Sequence, residues 1–289
     1  MHSEQEMFDL ILETARNDEH IRAVIMNGSR ANPNAPHDRF QDFDIVYIVT
    51  DVAPFKYNLE WIKRFGEMMI LQMPDDMADP PSDNADGFTY LMQFADGNRI
   101  DLGVNPPSML PELVKDSESI VLLDKDGIIP PLPPASDRDY LPKPPTAKAF
   151  TDCCNEFWWV CPYVAKGLWR AEITYAKYFQ EHFVRDQLTK ALNWRVGVAT
   201  GFAVSPGKYG KYLKRYLTPA EWALLLKTYA DASDEQTWEA LFAMCDLFRS
   251  AALRVAAHFG FAYPHGDDAR VSAHLRHVRS LPKDAQEIY

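Results

Sequence analysis

Two aspartates one residue apart, Asp42 and Asp44, stand at the mouth of the apolar run FDIVYIV, Phe43 to Val49. The run is rich in β-branched and aromatic residues and too short for a typical helix, which predicts a buried strand. Strand side chains alternate faces, so both carboxylates fall on one side, about 7 Å apart along the backbone. Carboxylates that close repel each other, and burial raises the cost unless a cation or hydrogen bonds compensate. A hard divalent ion such as Mg2+ meets that need, because it takes oxygen ligands and accepts one or two carboxylates together with substrate phosphates. Two aspartates capping a loop in water would read the same way in sequence.

What precedes the pair narrows the chemistry. IRAVIMN, Ile21 to Asn27, reads as a strand, and Gly28-Ser29 follows it directly. Glycine permits a tight turn or a close backbone approach, and N–H groups opening a following helix can hold a phosphate. The Ser29 hydroxyl adds a rotatable donor. Neither GxxxxGK[ST] nor GxGxxG occurs, which excludes the P-loop and the dinucleotide fingerprint. Arg30, His37 and Arg39 lie in the loop leading to Gln41, where each could touch a phosphate or serve only the surface; Pro33 and Pro36 keep any helix there short.

A third carboxylate has suitable placement. FTYLMQFA, the turn Asp96-Gly97-Asn98 and RIDLGV read as a β-hairpin. In its second strand Ile100, Leu102 and Val104 point one way, and Arg99 and Asp101 the other. Asp101 can then face the same cleft as Asp42 and Asp44, the alternative being a solvated polar face.

The stretches GSRAN, DRFQDFDIVYIV and RIDLGV resemble the nucleotidyltransferase superfamily that includes DNA polymerase beta and the antibiotic nucleotidyltransferases. Over nearly the whole chain, including WRAEITYAKYF, KALNW and GKYGKYLKRYL, the similarity is to aminoglycoside 6-adenylyltransferases of the streptomycin-modifying type. The resemblance implies a mixed α/β fold, with an N-terminal polymerase-beta-like nucleotidyltransferase domain built on a mixed sheet and a C-terminal helical-bundle domain. It implies a Mg2+ site at Asp42 and Asp44, with Asp101 as general base or further metal ligand, and ATP as co-substrate at Gly28, Ser29 and Arg30. The implied reaction transfers AMP to the 6-hydroxyl of streptomycin and releases pyrophosphate. Members of this superfamily bring a lysine from the second domain to the nucleotide, which singles out Lys208 and Lys211. The competing readings are the same chemistry on another small-molecule or protein acceptor, and a nucleotide-binding module without catalysis.

The elements that must position these groups can be read along the chain. A helix is expected over residues 4–16, a second helix over Lys56 to Glu67 with Leu59, Ile62 and Phe65 on one face, and a strand at MMILQM. PDDMADPPSDNADG is a polar loop whose five aspartates could draw in a cationic substrate or simply meet solvent. SIVLLDKDG, Ser119 to Gly127, reads as a strand closed by a turn. Seven prolines between Pro130 and Pro145 then forbid a helix or central strand. The expected organisation is residues 1–129 as the nucleotidyltransferase domain, 130–145 as a proline-rich linker and 146–289 as a helical substrate-binding domain.

Beyond Thr146 apolar residues recur at three- and four-residue spacing, predicting helices near 146–183, 185–203, 219–231 and 234–259. Thr218-Pro219-Ala220-Glu221 is a helix start, and Gly260 a stop. In NEFWWVCPYVAKGLWRAE, Trp159 offers a flat apolar surface and Glu156 a negative charge, a combination suited to a polycationic sugar. In GKYGKYLKRYL the positive charge is densest, and helical backbone would set Lys208 and Lys211 on related faces. Trp194-Arg195 is read toward the same cleft, whereas His265, His274 and His277 are assigned to the surface.

A formal charge of −11 argues against a nucleic-acid partner and suits a cationic small molecule. The four cysteines lack metal-site spacing, no signal sequence precedes the first helix, and no apolar run is long enough to span a membrane. The expectation is a cytoplasmic protein with reduced thiols and no membrane partner, for which a monomer suffices.

Overall fold

The computed structural model describes residues 2–56, 58–77, 79–80 and 87–289. The chain divides into two compact units, Met1–Asp139 and Tyr140–Tyr289, and the division falls within the proline-rich run.

Unit 1 is built on a mixed six-stranded sheet. Its strands are β1 (Ile21–Asn27), β2 (Phe43–Val49), β3 (Met68–Gln72), β4 (Phe88–Phe94), β5 (Arg99–Asn105) and β6 (Ser119–Asp124), in the order β3-β4-β5-β2-β1-β6. Among the described residues β2 and β5 run parallel and the other neighbours antiparallel. Helix α1 (Glu4–Asn17) opens on a capping box between Ser3 and Glu6 and buries Met7, Ile11 and Ala15 against one face of the sheet. On that face Phe43, Ile45 and Tyr47 of β2 meet Ile100, Leu102 and Val104 of β5, all of them buried. The Tyr47 hydroxyl donates to the Ile11 carbonyl at 2.7 Å, so this buried phenol is satisfied.

Among the described residues the opposite face carries a small apolar cluster of Ala23, Ile25, Val46, Ile48 and Leu110, the last from the short helix α3 (Leu110–Leu113), with Leu113, Val114 and Ile129 packed on it. That cluster covers the far ends of the strands and leaves the row containing Asp44 and Asp101 partly open, since both residues are half-buried.

The helix expected over Lys56 to Glu67 is instead a short α2 (Ala53–Lys56) followed by a 3-10 helix, Leu59–Phe65. The spacing of Leu59, Ile62 and Phe65 is three throughout, which is the 3-10 period rather than the α period. Asn58 caps the start by accepting from Glu60 N, and Gly66 ends it at φ 141°. In the acidic loop, Asp75 accepts from Thr89 N at 2.8 Å; Asp83 and Asp86 lie outside the described residues.

Unit 2 is helical: α4 (Ala147–Trp169), α5 (Ile173–Tyr178), α6 (Arg185–Thr200), α7 (Pro219–Lys227), α8 (Asp234–Phe259) and α9 (His265–Ser280). Phe157 of α4 stacks on Phe248 of α8 with ring centroids 3.8 Å apart, at the centre of its core. The expected single run 146–183 is broken at Ala171, which has φ 58°, and continues through a π-helical turn, Phe179–Val184. Helix α9 was not set apart by the sequence pattern, because two of its four buried positions are the polar Asp268 and Ser272. Asp268 is held there by Arg249 at 2.6 and 2.7 Å, the Tyr263 hydroxyl at 2.8 Å and Ser272 Oγ at 3.0 Å. His274 and His277 ride on α9 against Tyr289, whose ring stacks on His277 at 4.7 Å. Among the described residues no helix is long and apolar enough to cross a membrane.

Candidate active site

Strand register gathers the candidate residues of unit 1. Asp44 is the Cα partner of Asp101 across the parallel β2–β5 pair and of Asn27 across the antiparallel β1–β2 pair. One row of the sheet therefore carries Asn27, Asp44 and Asp101, with Asp42 two residues before Asp44 on the same side. The Asn27 amide oxygen accepts from Ser119 Oγ at 2.9 Å, which fixes the end of β1 against β6.

Gly28 then turns the chain at φ +72° into a single 3-10 turn, Gly28–Arg30. A Cβ at this position would lie 2.3 Å from Oδ2 of Asp44, so the turn packs directly on that carboxylate. The Gly28 N–H is taken by the Glu118 carbonyl at 3.0 Å, and the one-turn helix offers less than the phosphate-binding helix start expected from sequence. Ser29 is half-buried, and its carbonyl accepts from Gln41 Nε2 at 3.1 Å.

Arg30 acts on the backbone. Its Nε donates to the Asp42 carbonyl at 3.0 Å, Nη2 to the Gln41 carbonyl at 2.8 Å and Nη1 to Glu4 at 2.7 Å, while the guanidinium lies 3.8 Å from the Phe43 ring centroid. Three of the five Arg30 N–H donors are therefore engaged, two of them in a clamp on the backbone that presents Asp42.

Electrostatics mark the carboxylates as a strained set. Burial, followed by the charges of Asp101 and Asp42, pushes the Asp44 carboxyl up to about 6. Burial also raises Asp42, against the pull of Arg99. Sequence reasoning placed Arg99 on the right face but gave it no role. Its Nε and Nη2 donate to the two oxygens of Asp101 at 2.7 Å each, and Nε stands 3.6 Å from Oδ2 of Asp42. The signal available in sequence was the R-x-D spacing, which puts both side chains on one strand face.

The donor chemistry of Asp42 and Asp44 fits a hard divalent cation: carboxylate oxygens, half-buried, whose mutual repulsion such an ion would relieve. Asp101 faces the same side with both oxygens engaged by Arg99, and among the described residues no group of three His, Cys, Asp or Glu is assembled to hold a metal.

The candidates of unit 2 fall on its own surfaces. Lys208 and Lys211 are exposed, and the backbone there is not continuous helix: Lys208 opens a 3-10 turn, Lys208–Gly210, Lys211 follows it, and a second turn spans Leu213–Arg215. Gly207 at φ 76°, Tyr209 at φ 56° and Gly210 at φ 75° are incompatible with continuous helix. Trp159, 62 % exposed, lines a concavity of about 420 Å3 with Trp158, Tyr163, Asp267 and Arg270. Glu156 is half-buried on the same helix and is not among the residues lining that concavity. Arg195, read from sequence toward a cleft, is buried in a two-pronged pair with Glu221 at 2.8 and 2.7 Å, because its guanidinium fits the carboxylate that caps α7.

Comparison with known proteins adds to this geometry. The model of the streptomycin adenylyltransferase family matches residues 1–278. An aminoglycoside 6-adenylyltransferase of Bacillus subtilis (strain 168) is 42% identical over 270 residues, covering 93% of this chain and 95% of the relative. Another, from Campylobacter jejuni, is 41% identical over 271 residues, covering 93% of each. Among solved structures, an aminoglycoside 6-adenyltransferase from Bacillus subtilis is 37% identical, aligned over 97% of this chain and 100% of that one, with a TM-score of 0.48.

Proposed function

Because the chain belongs to the streptomycin adenylyltransferase family, we propose that it transfers AMP from ATP to the 6-hydroxyl of streptomycin and releases pyrophosphate. The observation that carries the reading is the juxtaposition of Asp42, Asp44 and Asp101 on the thinly covered face of the sheet, with the Gly28 turn packed on Asp44. Two half-buried like charges side by side are costly, and holding a polyphosphate with its counter-ion would offset that cost.

Mg2+ bound by Asp42 and Asp44 would neutralise charge on the α-phosphate and on the pyrophosphate leaving group. The chain's own residues do the rest. Gly28 lets the backbone and the Ser29 hydroxyl approach the phosphates without a side chain in the way. Arg30 holds the carbonyls of Gln41 and Asp42 and so sets where the Asp42 carboxylate stands. Asp101 accepts the proton of the attacking hydroxyl, once Arg99 frees one of its oxygens. The new bond joins the acceptor oxygen to the α-phosphorus, and the bond from that phosphorus to the bridging oxygen of pyrophosphate breaks. Lys208 and Lys211 are the nucleotide candidates of unit 2, and Trp159 and Glu156 its acceptor candidates, a flat ring and an acid for a guanidinium-bearing drug.

Incubation with ATP, Mg2+ and streptomycin, followed by mass analysis, tests the reading. Adenylylated streptomycin with one pyrophosphate per product is expected. Unchanged drug with AMP on another aminoglycoside would keep the reaction and change the acceptor. ATP binding without transfer to any acceptor would overturn the enzymatic reading.

A further inference from the structure

Arg99 is a cation that flanks the carboxylate row, two residues before Asp101 on the same strand face. Its planar guanidinium grips both oxygens of Asp101 at 2.7 Å and reaches within 3.6 Å of Asp42. The oxygens of Asp101 and Asp42 that face Arg99 lie beside the cation site read at Asp42 and Asp44, and a guanidinium held there opposes an incoming divalent ion. The Arg99 side chain is 38 % exposed, which leaves it a direct route into solvent without moving any strand.

We propose that Arg99 is a positioning residue that serves as the resident counter-ion of the metal-free site, holding Asp101 and Asp42 in place until a divalent cation displaces it. The proposal rests on the reading of Asp42 and Asp44 as metal ligands. Its physical basis is preorganisation: without a counter-charge, three neighbouring carboxylates would splay apart, and each ion bound would have to draw them together again. Arg99 keeps them near one another and gives way to a stronger cation. The device also links proton acceptance to metal loading, since both Asp101 oxygens accept from Arg99 until it leaves.

A salt bridge that merely stabilises the hairpin would behave differently. Its removal would lower the melting temperature and leave metal affinity where it was. A placeholder competes with the metal, so its removal raises affinity.

Mn2+ titration of the nucleotide-free full-length chain, read by loss of the free-ion electron paramagnetic resonance signal, separates the two. Arg99→Gln is expected to bind Mn2+ about tenfold more tightly than the parent, a change of roughly 1.4 kcal/mol. Arg99→Lys, which keeps the charge without the two-pronged grip, should fall between them. Arg22→Gln removes the same charge from the far end of β1, where Arg22 pairs with Asp126, and should leave the affinity unchanged. Equal or weaker Mn2+ binding by Arg99→Gln overturns the proposal, as does an equal gain in Arg22→Gln. Asp44→Asn tests the underlying reading separately: if it binds Mn2+ as well as the parent, the metal assignment fails, and the Arg99 proposal with it.

Discussion

A Cβ placed on Gly28 would stand 2.3 Å from Oδ2 of Asp44, and Gly28 holds φ +72°. Any side chain there meets both a backbone penalty and a carboxylate. Gly28→Ala should therefore lose about 1–3 kcal/mol of stability and displace Asp44. Adenylyl transfer should fall at least about a hundredfold, since small misplacements of reacting groups have effects of that size. Parental kcat/KM in Gly28→Ala would show that the turn and the carboxylate are independent.

Asp42→Ala and Asp44→Asn should each abolish transfer while leaving the fold intact. Losing a charge-neutralising metal ligand costs several kcal/mol in the transition state, roughly a thousandfold or more in rate. Asp44→Asn carries a second expectation. Burial and the charges of Asp101 and Asp42 push the Asp44 carboxyl up to about 6, so in the metal-free protein at neutral pH the amide removes a repulsion. Its melting temperature without metal should equal or exceed the parent's, and a marked drop would contradict this.

The clamp formed by Arg30 predicts a loss that charge alone does not restore. Arg30→Ala removes donors to the Gln41 and Asp42 carbonyls at 2.8 and 3.0 Å, which should cost about 1–3 kcal/mol. Arg30→Lys presents a single ammonium in place of a planar fork and should rescue activity poorly. Full recovery by lysine would mean that Arg30 acts through its charge.

In unit 2, Asp268 should set an acid limit. Hydrogen bonds from Arg249, Tyr263 and Ser272 outweigh burial and hold its carboxyl below the usual range. A carboxylate with a depressed folded value contributes stability that is complete above its unfolded pKa, near 4, and is lost as pH falls through the lower folded value. Asp268→Asn should cost about 2–4 kcal/mol at pH 7 by removing the buried charge that Arg249, Tyr263 and Ser272 converge on, leaving Arg249 paired with Asp246 alone. Urea midpoints of parent and variant should converge below about pH 4. A constant gap across that range would assign the stabilisation elsewhere.

Trp159 is 62 % exposed, so Trp159→Ala should fold normally. A ring stacked on the acceptor predicts a raised KM for streptomycin, by roughly tenfold, with KM for ATP unchanged. An unaltered KM for both would remove Trp159 from the acceptor site.

Local pattern was enough to place much of this protein. The alternation of Ile100, Leu102 and Val104 with Arg99 and Asp101 put Asp101 on the open face, and the apolar run after Asp42 marked β2, because a strand's period is legible in its own residues. The β4–β5 hairpin and the capped start of α7 were legible for the same reason. Long-range pairing decided the rest. That Asp44 stands level with Asp101 follows from a parallel register between strands more than fifty residues apart, that Gly28 abuts Asp44 follows from the close of β1 against β2, and that Arg30 grips the Asp42 backbone follows from the return of the intervening loop. The lysine-rich run departed from helix through positive φ angles at Gly207, Tyr209 and Gly210, and α9 formed around the buried Asp268, which apolar spacing does not reveal. Sequence determined which side chains were candidates for chemistry and which share a strand face, as Arg99 and Asp101 do, because side-chain type and strand period are local; only the tertiary fold decided which of them meet across strands, because those meetings join segments distant in the chain.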